Sequence, residues 1–218
     1  MNIPLEKRLK RRQHKEIAEL QDLAVEVVYS IEENAVLHGG TAIWRCFQGN
    51  RFSQDLDFYL KPRKQFRQEL QKTLENFGAM LPKCKQTENA IYSTIEKDNI
   101  QVSLEIALRE FKNPKASSFE KTDGSFIDVL TPTASQLLLE KLQAFKNRKL
   151  IRDIYDTYHL SRFVSSEELN AEFLKKASQF LEELPNPADE QNLKSLILTG
   201  AVPSFEQMKQ VLKRKFSK

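Results

Sequence analysis

The spacing of apolar residues changes period several times along the chain. Ile17, Leu20, Leu23, Ala24, Val27, Val28 and Ile31 recur at helical spacing and predict an amphipathic helix. Asn34 to His38 then reads as a short strand, Gly39-Gly40-Thr41 as a tight turn, and Thr41 to Gln48 as a second helix. From Asp55 to Leu60 the period drops to two. On such a strand Asp55, Asp57 and Tyr59 share one face, and Leu56, Phe58 and Leu60 point the other way into a core. Arg63 to Phe77 returns to a helical pattern and stops at Gly78. Ala90 to Glu96 and Ile100 to Leu108 predict a hairpin turning at Lys97-Asp98-Asn99. Its second arm carries Ile100, Val102, Leu104, Ile106 and Leu108 on one face and Gln101, Ser103, Glu105 and Ala107 on the other. Phe111 to Ser125 has the composition of a loop. Beyond Thr131-Pro132 the pattern is helical nearly throughout, broken near Pro185 to Pro187 and Gly200 to Pro203. The expected class is α+β: a mixed sheet with flanking helices over residues 1–130, then a helical half over 131–218.

Composition narrows this reading only a little. A chain of 218 residues has room for one large domain or two small ones, and 40% hydrophobic with 29% charged residues is a soluble globular balance. No apolar run approaches the ~20 residues of a membrane span, and the basic start lacks the apolar core of a secretory signal. A cytoplasmic protein with no membrane association is expected. Cys46 and Cys84 give neither metal spacing nor a disulfide framework and read as buried thiols in a reducing compartment. The net charge of +4 alone does not imply nucleic acid.

The chemistry concentrates around the two glycines and the two aspartates. Carboxylates two residues apart on one strand face repel each other and form a ready site for a hard divalent cation, which takes oxygen ligands. A Gly-Gly turn entering a helix presents bare N–H groups and a helix N-terminus where phosphate can sit. Arg51 and Ser53 are candidate substrate contacts, since a guanidinium fits phosphate oxygens, with ordinary loop residues as the alternative. Glu105 is either a third metal ligand or an exposed sheet glutamate, because register between strands is not readable in one sequence. Lys141 falls inside the apolar stripe of the helix from Thr133 to Lys146, where it must snorkel or meet an anion. Asp153 and Asp156 sit on a helix apolar on two sides and should have partners, a structural pair with Arg152 or Lys141 being one reading. Lys7, Arg8, Lys10, Arg11, Arg12 and Lys15 are an RNA-contacting arm or a solvated helix start. Lys213-Arg214-Lys215 reads as a solvated tail, His14 and His159 as structural, and His38 as a possible lining of the site.

His38-Gly39-Gly40-Thr41 followed by Arg51-Phe52-Ser53-Gln54-Asp55-Leu56-Asp57-Phe58 resembles the signature of the DNA polymerase β-like nucleotidyltransferases, and most closely the branch called AbiEii/AbiGii toxins. Glu140-Lys141-Leu142-Gln143-Ala144-Phe145, Arg148 and Arg152-Asp153-Ile154-Tyr155-Asp156 resemble that branch's second block. The chain has Gly40-Thr41 where Gly-Ser is usual in the wider superfamily, and the hydroxyl is retained. The resemblance implies a nucleotidyltransferase-type sheet whose active site the helical half completes. It implies a Mg²⁺-dependent toxin of a toxin–antitoxin pair that transfers a nucleoside monophosphate from an NTP to an acceptor, the 3′ end of tRNA, and a separately encoded winged-helix antitoxin as partner. Asp55, Asp57 and Glu105 are then the metal ligands; Gly39, Gly40, Thr41, Arg51, Ser53 and Lys141 bind the nucleotide; and Asp55, Asp57, Lys141 and Asp156 are the catalytic set. Asp156 is a base or a group that orients Lys141. The rival expectation is an antitoxin of the same fold that adds AMP to a partner toxin.

Overall fold

The period-two stretches form one seven-stranded mixed sheet in a computed structural model that describes residues 4–216. The chain divides into an α/β unit, residues up to 46 with 52–132, and a helical unit, residues 47–51 with those from 133 on. In the α/β unit α1 (Leu5–Arg8) and α2 (Arg12–Ile31) lead into β1 (Val36–His38), α3 (Gly39–Cys46), β2 (Leu56–Tyr59) and α4 (Phe66–Asn76). The strands β3 (Met80–Gln86), β4 (Ala90–Lys97), β5 (Ile100–Ala107), β6 (Lys115–Glu120) and β7 (Phe126–Thr131) complete it. Their order across the sheet is β3-β4-β5-β2-β1-β7-β6. The predicted hairpin is β4–β5, and its Asp98 and Asn99 both take positive φ, 51° and 64°. That is the conformation a two-residue hairpin turn requires and that Asp and Asn tolerate.

Each strand turns its apolar side the same way. Leu56 and Phe58 lie in register with Leu104 and Ile106, and Leu37 with Phe58. All five are buried, as are Ile17, Leu20, Ala24, Val25 and Val28 of α2, which packs on β5 and α4. The opposite sheet face carries the polar members of the same strands. Three strands stand where the sequence pattern predicts none; one of them, β7, lies inside the sheet between β1 and β6, and the other two are at its edges. β6 is the partner of β7 at one edge, and β3 pairs with β4 at the other. Most of their side chains are exposed, and β3 contains Pro82, so neither offers an alternating apolar signal.

A buried ion pair locks α2 to α3. Asp22 binds Arg45 and also accepts the backbone N–H of Thr122 at 2.7 Å. The Arg45 side chain is fully buried, its guanidinium 4.8 Å from the Trp44 ring centroid and 4.7 Å from that of Phe119. Arg8 is likewise committed, to Glu120, while Lys7, Lys10, Arg11 and Arg12 are exposed members of the basic run, Arg12 paired with Glu16 at 2.7 Å.

The helical unit comprises α5 (Ala134–Arg148), α6 (Ile151–Leu160), α7 (Ala171–Glu182), α8 (Leu193–Leu196) and α9 (Phe205–Phe216). Thr133 caps α5, exchanging hydrogen bonds with Gln136 in a capping box, and Lys149 ends it in the left-handed conformation. Residues 47–51 join this unit through backbone and side-chain bonds. The Phe47 carbonyl meets His159 Nε2 at 2.7 Å, the Leu198 N–H donates to Asn50 O at 3.0 Å, and Arg51 forms an isolated bridge with Ile197. Lys213, Arg214 and Lys215, expected as a solvated tail, are instead the last turn of α9. Cys46 and Cys84 are free and half-buried. Among the described residues no helix is long and apolar enough to cross a membrane.

The Asp22–Arg45 pair gives a direct test. Asp22→Ala leaves a guanidinium buried without its counter-charge and should cost about 3–5 kcal/mol in urea unfolding, whereas Asp22→Leu with Arg45→Met should cost far less. Equal losses in the single and double variants would show that volume, not charge, governs the position.

Candidate functional site

Strand register builds the first part of the site. β1 and β2 are antiparallel with His38 opposite Asp57, and β2 and β5 are parallel with Asp57 opposite Glu105. Side chains of paired residues project from the same face, so His38, Asp57 and Glu105 form one row across three strands. Asp55 immediately precedes β2 and is exposed, as is Glu105; Asp57 is half-buried and Leu56 between them is fully buried. The alternation expected from the sequence is thus realised, and Asp55, Asp57 and Glu105 share the polar face. Among the described residues no three acidic, His or Cys side chains lie close enough to cage a metal ion on their own.

Chain direction reverses in character at Gly39 with no intervening turn: α3 begins on the residue after β1. Gly39 has φ +71°, and a Cβ there would fall into the Asp57 carboxylate, 2.9 Å from its Cγ. Only glycine accepts both the left-handed backbone and the close approach. The N-terminus of α3 therefore opens directly beside Asp57. His38 stacks on Tyr59, ring centroids 3.6 Å apart, which fixes its imidazole along the same face.

The segment leading to Asp55 is held from behind. Thr41 is fully buried and its hydroxyl donates to the Asp55 carbonyl at 2.5 Å. Having spent its one proton there, it acts by fixing the backbone under Asp55, a different use from the phosphate contact the resemblance implies. Ser53 is nearly buried, and its carbonyl and that of Gln54 accept from Gln21 Nε2 at 3.0 and 2.8 Å. Gln21 was not singled out in the sequence. Its only signal is a carboxamide within the apolar stripe of α2.

In the helical unit Arg51, Lys141, Asp153 and Asp156 form one buried network. Arg51 grips Asp156 with two parallel bonds, Nε to Oδ1 at 2.8 Å and a terminal nitrogen to Oδ2 at 2.7 Å. Lys141 Nζ lies 3.0 Å from Asp156 Oδ2 and 3.7 Å from Asp153 Oδ1. Arg148, not Arg152, is the main partner of Asp153, at 2.6 Å on both oxygens. Burial alone would raise the Asp156 carboxyl, but Arg51 and Lys141 outweigh it and hold the group down at about 2. An aspartate so acidic is a weak proton acceptor at neutral pH. Its geometry, two cations held on one carboxylate, is that of a group fixing Lys141 and Arg51.

Comparison with known proteins follows the same lines. Residues 24–213 match the profile of the family described as "Nucleotidyl transferase AbiEii toxin, Type IV TA system". Among solved structures the chain is similar to JHP933 from Helicobacter pylori, at 19% identity over 94% of this chain and 90% of that one, with a TM-score of 0.63. It is also similar to a protein from that organism described as a nucleotidyltransferase, at 19% identity over 94% and 97% of the two chains, with a TM-score of 0.64. Both likenesses are of fold. Among curated proteins none matches in sequence.

Two measurements probe this geometry. Gly39→Ala should strain the backbone by about 1–2 kcal/mol and displace Asp57; a crystal structure of the variant with the Asp57 carboxylate unmoved would refute the contact. For Asp156, the folded group titrates near 2, below the ~3.9 of an unfolded aspartate. The stability it contributes is complete above about pH 4 and is lost as pH falls from there through 2. The melting temperature of the wild type should therefore fall more steeply across that window than that of Asp156→Asn; parallel profiles would overturn the assignment.

Proposed function

As a member of the AbiEii nucleotidyl transferase toxin family, this chain is, we propose, a Mg²⁺-dependent enzyme that moves a nucleoside monophosphate from an NTP to an RNA acceptor, the 3′ end of tRNA. The observation that carries the reading is the row of carboxylates beside a glycine-started helix: Asp57 and Glu105 in register, Asp55 two residues before, and Gly39 open against Asp57.

The donor set fits the metal. All three groups are hard oxygen donors, and Mg²⁺ is commonly held by one or two carboxylates with substrate phosphates completing its shell, not by an all-protein cage. Asp55, Asp57 and Glu105 are the residues that would hold it. When bound, Mg²⁺ neutralises charge on the triphosphate and lowers the pKa of the attacking hydroxyl. The remaining work falls to the chain. The N–H groups of Gly39 and Gly40 at the start of α3 are positioned to receive phosphate oxygens, where the helix dipole favours negative charge. Thr41, Gln21 and the backbone of Ser53 keep Asp55 and Asp57 on one face. In the helical unit Asp156 and Arg51 hold the Lys141 ammonium in one position, and we assign that ammonium to the charge of the nucleotide's phosphates. A separately encoded winged-helix antitoxin is the expected partner, and the cytoplasm the expected compartment. The first expectation rests on the family, the second on the free Cys46 and Cys84.

The test is transfer of label from each α-³²P NTP to total tRNA in Mg²⁺. Wild type should label RNA, and Asp57→Asn, which removes a metal ligand without changing volume, should lose transfer at least a hundredfold while keeping its melting temperature. Near-wild-type transfer by Asp57→Asn would sink the carboxylate reading. Label appearing on protein instead of RNA would move the acceptor to a polypeptide.

A further inference from the structure

The helical unit contains a second cavity-forming surface, distinct from the Arg51–Lys141–Asp156 network, and its composition is unusual. Two packed helices each present residues at i, i+3, i+4 and i+7: Tyr155, Tyr158, His159 and Arg162 along α6 and beyond its end, and Gln207, Gln210, Val211 and Arg214 along α9. Positions so spaced fall on one helical face. The loop Thr199–Pro203 and the carboxamides of Gln48 and Asn50 close a cavity of about 750 Å³ between them. Among the described residues no carboxylate lines it. By contrast, three cavities of the α/β unit are each lined by two or more acidic side chains. Glu206, the acidic residue nearest along α9, turns to Lys209 at 3.5 Å.

The cavity's groups are ordered ahead of any ligand. The guanidinium of Arg162 lies 5.0 Å from the Tyr158 ring centroid and donates to its hydroxyl at 2.9 Å, while the side chain remains exposed. Asn50 is tied to Thr199 through two hydrogen bonds, at 2.5 and 3.0 Å. A planar cation held over an aromatic ring offers a stacking surface for a base, exposed arginines take phosphate, and carboxamides donate to and accept from base edges. An acid-free wall removes the repulsion a polyanion would meet. An acidic peptide would use the arginines but has no call on the stacking surface or the carboxamides. We infer that this cavity binds an unpaired nucleotide of a single-stranded RNA, with Arg162 as stacking platform, Arg214 on phosphate, and Gln210 at the base edge. The inference rests on the reading above that the acceptor is RNA and locates where its free strand is gripped.

The test uses the full chain and a 5′-fluorescein tetraribonucleotide with a free 3′ hydroxyl, followed by anisotropy across a salt series in EDTA. Arg162→Gln and Arg214→Gln should each weaken binding about tenfold and flatten the salt slope by roughly 0.7. Gln210→Glu, an exposed change that threatens no core, should weaken it at least as much by placing a carboxylate in the cavity. Lys175→Gln, the same charge loss on exposed α7, should change little. Unaltered affinity in all three cavity variants, equal loss in Lys175→Gln, or displacement of the RNA by equimolar tetraglutamate would each overturn the inference. Failure here is separable from failure of the proposed function. Transfer to tRNA with KM unmoved by the cavity variants rejects the cavity alone. Cavity-dependent RNA binding by a protein that labels no RNA rejects the acceptor alone.

Discussion

The approach of Gly39 to the Asp57 carboxylate is the constraint on which the α/β unit turns. A strand runs into a helix with no linker, which demands a left-handed backbone at the junction, and the carboxylate occupies the space any side chain would need. That contact is possible only because β1 and β2 are antiparallel with His38 opposite Asp57. The same register, carried one strand further in parallel, puts Glu105 beside Asp57. A slip of one residue in β2 would send both aspartates into the core and Leu56 and Phe58 to the polar face. The apolar residues under α2 thus enforce the placement of the polar ones: the hydrophobic effect fixes the register, and the register assembles the chemistry.

Buried charge does a different job in each unit. Asp22 and Arg45 join two helices and a loop, and burial outweighs their attraction: it holds the Asp22 carboxyl above the usual carboxylate range and the Arg45 guanidinium below its usual one, with the Thr122 N–H and two aromatic faces as partial compensation. In the helical unit one carboxylate, Asp156, serves two cations at once. A pair alone would satisfy the burial requirement. The second cation makes Asp156 an organiser, since Arg51 takes it in a bidentate grip and leaves Lys141 defined from one side.

Much of the fold was legible because it follows from periodicity. The helix with Ile17, Leu20 and Val28 on its face, the Asp98-Asn99 hairpin and the alternating strand around Asp57 all carry a pattern that burial imposes. β3 and β6 did not, because edge strands with mostly exposed side chains have little burial to record. Site residues divide the same way. Lys141 was visible as a charge in an apolar stripe, and its carboxylate partner Asp156 as a polar group on a helix buried on two sides. The pairing of Arg51 with Asp156 was not, for the two stand 105 positions apart and nothing local to either names the other. Gln21 and Thr41 act through bonds to backbone atoms, which leave no trace in side-chain pattern. The first is a lone carboxamide in an apolar row. The hydroxyl of the second faces the carbonyl of Asp55, where the resemblance implies a phosphate contact.

Five residues, 47–51, belong to a unit whose other members are made more than eighty positions later. During synthesis, when N-terminal parts fold first, Arg51 emerges long before Asp156 exists, and its guanidinium must wait in solvent until α6 is complete. Neither half of the chain cut at residue 132 is then self-sufficient: the front piece carries a cation without its carboxylate, and the rear piece a buried carboxylate without its bidentate partner. The toxin cannot be divided into a catalytic fragment and an accessory one by a single cut in the chain. Its two units are interleaved in sequence, and the ribosome must carry synthesis through α6 before the network around Asp156 can close.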